Sequence, residues 1–176
     1  MTINRIAALL ASTAFAAGFS TLAAAQTDTT LAGGTFQTKI TITKACTMSG
    51  ANTDVNFGDV ASNAAGDKAS ASNGGFSVIC TSGTPYKIGL QSTAAESGTD
   101  GTGAMKAEGQ TATIGYQLYQ AAGATPWGNN TSEGGNVKAG TGIGSAQAHT
   151  VYAATTSTLN VPAATYSDTV SISVYY

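Results

Sequence analysis

Cys46, Cys80 and His149 are the side chains best suited to covalent or acid–base chemistry, and this 176-residue chain has no other cysteine or histidine. A thiol pair could exchange disulfides through a CxxC motif or bind a metal with partner ligands. These two cysteines have neither the spacing nor the neighbours for that. They read as a disulfide, closing a loop of about 35 residues worth roughly 3–4 kcal/mol on a chain-entropy account. One histidine leaves little for a catalytic pair, and no Gly-x-Ser-x-Gly is present. His149 therefore reads as exposed or hydrogen-bonded.

The remaining candidates are weaker. Gly140-Thr141-Gly142-Ile143-Gly144 lacks the Lys-Ser/Thr that follows a phosphate-cradling loop. Asp100-Gly101-Thr102-Gly103 offers one carboxylate where a calcium loop needs several. Both read as surface turns. Trp127, beside Asn129 and Asn130, could stack on a sugar, which would make the chain a secreted monomeric carbohydrate-binding module. A lone tryptophan capping a small core is the commoner arrangement. Charged residues make up only 9% of the chain and the net charge is −2, which excludes a nucleic-acid binder that neutralises phosphates with basic groups. No catalytic residue, cofactor or metal is expected.

Residues 1–25 read as a secretory signal peptide. Arg5 supplies the positive start, Ile6 to Phe19 the small and apolar run, and Ala23-Ala24-Ala25 the cleavage site. The run is interrupted by Ser12, Thr13 and Gly18 and is too short for a bilayer span. Arg5 is the only arginine, so the mature chain from Gln26 carries six lysines against nine acids, a net charge of −3. Without a guanidinium, bidentate recognition of phosphate or carboxylate is absent. The product is expected to be exported, with no membrane span in its mature form.

What must position any site is a set of strands, since the dominant period is two. Thr35–Thr43, Val55–Gly58, Phe76–Cys80, Tyr86–Leu90, Ile114–Tyr119, His149–Ala153, Thr158–Val161 and Tyr166–Tyr176 are the candidates. Ser82-Gly83-Thr84-Pro85 punctuates a hairpin between the third and fourth. Ala61–Gly75, Glu96–Gly109 and Gly128–Gly144 are built mainly of small and polar residues and read as surface loops. The whole predicts one antiparallel all-β sandwich.

The two ends of the mature chain are the most informative. Phe36, Ile40 and Ile42 share one parity of the first candidate, behind the flexible flank Thr27–Gly34. Val170, Ile172, Val174 and Tyr176 share one face of the last. An apolar strand with no hairpin partner after it is an association hazard unless another strand covers it. A free strand at one end and an uncovered edge at the other suggest strand donation between subunits.

With these features the chain resembles the archaic chaperone–usher pilins, the family that carries the spore coat protein U domain and includes the major subunit of Csu-type pili. The matching segments are Phe36–Ile42 running into Cys46, Val55–Gly58, Phe76–Cys80 and Tyr166–Val174. The resemblance implies an incomplete immunoglobulin-like sandwich completed by donor-strand exchange, with residues 26–45 as the N-terminal extension and 46–176 as the pilin domain. It implies a periplasmic chaperone, an outer-membrane usher and neighbouring pilin subunits as partners, in a homopolymeric fibre at the cell surface. Carried over position by position, Phe36, Thr38, Ile40 and Ile42 become the donor residues. Val170, Ile172, Val174 and Tyr176 become the acceptor and chaperone-binding edge. Thr38 departs from the apolar pattern of the donor.

Overall fold

The computed structural model describes residues 32–61, 69–94 and 98–176. The signal segment expected at residues 1–25 lies outside the described residues, as does the start of the 26–45 extension. The chain divides after Ile40 into two units, and the second, Thr41–Tyr176, holds every described strand. These are β1 (Cys46–Thr53), β2 (Ser70–Cys80), β3 (Pro85–Ser92), β4 (Thr102–Lys106), β5 (Thr113–Tyr119), β6 (Lys138–Thr141), β7 (Gln147–Thr155) and β8 (Val170–Tyr175). They form a five-stranded sheet in the order β1-β2-β7-β5-β4 and a three-stranded sheet in the order β6-β3-β8, with every pairing antiparallel. The domain is thus the all-β antiparallel sandwich that the period of two predicts.

Alternation supplies the core. Phe76, Val78 and Cys80 from β2, Tyr86, Ile88 and Leu90 from β3, Tyr116 and Leu118 from β5, and Val151 and Ala153 from β7 are buried together. Full burial of a large apolar side chain contributes about 1.5–3 kcal/mol, so these few residues carry most of the packing. Trp127 is 0% exposed at their centre. Its indole Nε1 donates to the Ile88 carbonyl at 2.8 Å, and its ring lies 5.8 Å from that of Phe76.

Several expectations are corrected. Ser70–Gly75, Thr102–Lys106 and Lys138–Thr141 are strand residues inside the three segments read as loops. β6 has no large apolar residue and β4 has only Met105; in each, a glycine leaves room for a neighbour's aromatic ring. A Cβ at Gly103 would meet Tyr116 Cζ at 2.3 Å, and one at Gly140 would meet Tyr86 Cζ at 2.4 Å. Each glycine faces that tyrosine directly across the ladder, the cross-strand pairing by which an aromatic covers a glycine.

Nor do β2 and β3 form a hairpin: Thr81–Thr84 carries the chain from one sheet to the other. Val55–Gly58 is not a strand either. Asn73 satisfies the Asn56 backbone instead, its Oδ1 accepting from Asn56 N and its Nδ2 donating to Asn56 O, both at 2.9 Å. Val55 and Phe57 still pack on the core. Thr158–Val161 is likewise irregular, and it buries Leu159 as a single anchor. Thr35–Thr43 has no ladder partner among the described residues and remains outside any strand.

Candidate functional site

β8 is an edge strand, paired with β3 through Lys87↔Tyr175, Ile88↔Val174, Gly89↔Ser173, Leu90↔Ile172, Gln91↔Ser171 and Ser92↔Val170. Facing residues of an antiparallel ladder alternate between bonded and non-bonded pairs. Thr93 N donates to Thr169 O at 2.8 Å, which sets the phase: Ser171, Ser173 and Tyr175 bond to β3. The opposite parity has other partners on the β3 side. Leu90 N donates to Gly128 O at 3.0 Å, and Ile88 O accepts the Trp127 indole. The backbone N–H and C=O groups of Val170, Ile172 and Val174 therefore point away from β3, to a side with no strand among the described residues.

The side chains of Val170, Ile172 and Val174 are half-buried and packed against the core. The fold thus presents three apolar side chains turned inward beside a row of backbone groups with no strand partner among the described residues. Chemically, this edge can accept an extended strand. Tyr176 keeps the same parity but lies beyond β8 and is 59% exposed. The structure brings three of the four expected acceptor residues into one strand and leaves the fourth outside it.

The start of β8 is fixed by polar contacts that the sequence does not advertise. Asp168 Oδ2 accepts from Ser92 Oγ at 2.5 Å and from the Tyr116 hydroxyl at 2.7 Å, and its Oδ1 accepts from Thr169 N at 2.8 Å. Burial, reinforced by the Asp168 carboxylate, pushes the Tyr116 phenol well above its usual range. Ser167 also exchanges both backbone bonds with Lys106 of β4, at 2.9 and 3.0 Å. The segment entering β8 is thereby tied to both sheets. A single acid in a Ser/Thr-rich stretch is the sole trace of this in the sequence.

The leader is described on its own. Residues 32–45 form no strand, and Phe36, Ile40 and Ile42 are 88%, 83% and 71% exposed. Thr38 is exposed as well. At its root, Thr81 N donates to Ala45 O at 2.9 Å and Ala45 N donates to Thr81 Oγ1 at 3.1 Å. Immediately afterwards Cys46 and Cys80, facing each other in the β1–β2 register, form a disulfide.

His149 and Trp127 belong to the core. The Tyr86 hydroxyl lies 3.2 Å from His149 Nε2, joining the two sheets, and Phe76 and Trp127 flank the imidazole. Lys138 Nζ sits 4.8 Å from the Trp127 ring centroid. Burial, then the Lys138 charge, pull the His149 pKa below its ordinary value, and burial lowers Lys138 too. A buried indole has no face free to stack on a sugar, which removes the Trp127 platform. Asp100 accepts from Thr102 N and Oγ1 in a local turn. Among the described residues no three His, Cys, Asp or Glu converge as metal ligands, and no helix is long and apolar enough to cross a membrane.

Residues 32–173 match the Spore Coat Protein U domain family. A search of curated proteins found no match. Among solved structures, the chain is similar to a chain of the CsuC–CsuE chaperone–tip adhesion subunit pre-assembly complex from the archaic chaperone–usher Csu pili of Acinetobacter baumannii. The TM-score is 0.51 at 20% identity, over 78% of this chain and 41% of that one. At that identity the likeness is one of fold, and this chain spans less than half the length of its counterpart.

Proposed function

The chain belongs to the Spore Coat Protein U domain family, and from that premise we propose that it is a structural subunit of an extracellular chaperone–usher pilus rather than an enzyme. In this reading it is exported, held by a periplasmic chaperone, and polymerised at an outer-membrane usher into a surface fibre that supports adhesion and biofilm formation. The leader residues Phe36, Thr38, Ile40 and Ile42 of one subunit enter the groove beside Val170, Ile172, Val174 and Tyr176 of the next.

The open edge of β8 is the observation that carries the reading. An incoming strand would satisfy the outward backbone groups of Val170, Ile172 and Val174, each hydrogen bond contributing about 0.5–1.5 kcal/mol net. Burying Phe36, Ile40 and Ile42, all largely exposed in the leader, would contribute up to roughly 5–9 kcal/mol. A one-residue slip would turn this apolar face outward, so the register is specified. The contact is head-to-tail and does not close, which yields a filament.

The test is to co-express the mature chain with its chaperone, with and without residues 26–43. The full chain should form a 1:1 complex and then polymers, and the truncated chain should bind the chaperone but stay unpolymerised. Polymers from the truncated chain would rule out donation through the leader.

A further inference from the structure

The Cys46–Cys80 disulfide joins the first residue of β1 to the last residue of β2, at the root of the leader. From Cys80 the chain needs only Thr81–Thr84 to reach β3, and β3 pairs with β8 without a break from Lys87 to Ser92. That connector is braced by the Gly142–Gly144 segment. Gly83 N donates to Gly142 O at 2.9 Å, Gly142 N to Thr84 O at 2.8 Å, and Gly144 N to Cys80 O at 3.0 Å.

β1 alone is a poor handle. It is an edge strand with mostly exposed side chains, and its register with β2 shifts between Ser49 and Thr53. Tension arriving at Cys46 without the disulfide would load the ladder at its first pair and break its hydrogen bonds one after another. β3, by contrast, is the middle strand of its sheet and buries Tyr86, Ile88 and Leu90.

Resting on the reading that neighbours hold this subunit by its leader and by β8, we propose that the disulfide is the force-transmitting junction of the fibre. Tension passes from Cys46 Sγ to Cys80 Sγ, along Thr81–Thr84 into β3, and across the β3–β8 ladder to the strand inserted beside it. Residues 47–79, which include most of β1 and β2, lie outside that path. The bond turns a peelable edge strand into a bypassed one.

Single fibres of the full mature chain, pulled by optical tweezers before and after reduction, test this. Alkylation of both cysteines, checked by mass, verifies the reduction. Oxidised fibres should show no extension from the 46–80 segment. Reduced fibres should show a new event at lower force than any event of the oxidised fibre. It should lengthen each subunit by up to ~110–120 Å, the extended length of the 34-residue separation. Fibres of the Cys46→Ser/Cys80→Ser variant should behave like reduced ones; if that variant fails to assemble, reduction after assembly still decides. Unchanged force records in fully reduced fibres would overturn the proposal, as would extra length that arrives only after the main rupture. Failure of the underlying reading looks different: electron microscopy would show no fibres from the oxidised chain, and the proposal would fall with it before any force is applied.

Discussion

The Tyr116 hydroxyl stands 2.7 Å from Asp168 Oδ2, the same oxygen that accepts from Ser92 Oγ at 2.5 Å. Tyr116 comes from β5 and Ser92 from β3, so one carboxylate clamps the two sheets together at the start of β8.

Asp168→Ala leaves two hydroxyls without their charged acceptor and should cost about 2–3 kcal/mol, while Tyr116→Phe should cost about 1 kcal/mol. Because the two groups share one interaction, the double variant should lose less than the sum. Urea unfolding of the four proteins measures the coupling; strictly additive losses would mean that the contact contributes nothing.

Acid should weaken the domain through His149. Its folded pKa lies below the ordinary 6.5 because burial, then Lys138, disfavour the imidazolium. As pH falls through 6.5 the unfolded chain takes up the proton first, so stability declines until the folded pKa is reached and is then flat. Above 6.5 this group contributes no pH dependence. The urea midpoint should therefore fall on going from about pH 7.5 to about pH 5, and the His149→Leu variant should lose that slope. An equal slope in both proteins would remove His149 as its source.

Gly103→Ala places a methyl 2.3 Å from Tyr116 Cζ, and overpacking of this kind should cost roughly 1–3 kcal/mol. The same substitution should be nearly neutral when Tyr116 is already alanine. Thermal melts of the single and paired variants separate this steric cause from a loss of glycine's own backbone freedom.

Thr38→Val replaces a hydroxyl with a methyl at the one polar donor position. If the leader fills the β8 groove, the change should strengthen insertion by about 1 kcal/mol, or roughly fivefold in dissociation rate. Competition between synthetic peptides of residues 26–45 for the chaperone-bound chain reads this directly. A slower wild-type peptide would place Thr38 outside the groove.

Trp127→Ala should destabilise the domain by about 3–5 kcal/mol, the usual cost of emptying an aromatic site in a core. The native indole should emit at the short wavelengths of a dry environment. Glycan-array binding that the folded chain shows and Trp127→Phe abolishes would contradict this burial.

The sandwich is legible in the sequence wherever large apolar side chains alternate, as in β3, β5, β7 and β8. β4 and β6 escape notice because Tyr116 and Tyr86 supply from neighbouring strands the apolar mass that their own glycines omit. Ser82–Pro85 signals a turn, but turn chemistry does not say which sheet receives the next strand. At the candidate site, the shared parity of Val170, Ile172 and Val174 is readable from sequence alone. That their backbone groups face away from β3 needs the register and the Thr93–Thr169 bond. The Asp168 clamp joins residues 52 and 76 positions apart, a separation at which no local pattern operates.

The bond at the leader's root also dates the molecule, since it closes only after the chain has left a reducing compartment. In the proposed fibre, a subunit that escapes oxidation would lack the direct path from Cys46 to Cys80. A filament fails at its weakest joint, so its endurance follows the rarest defect rather than the average subunit, and longer filaments suffer more. If the chain assembles as proposed, fidelity of oxidation, more than the depth of any single groove, would limit how long a durable fibre can grow.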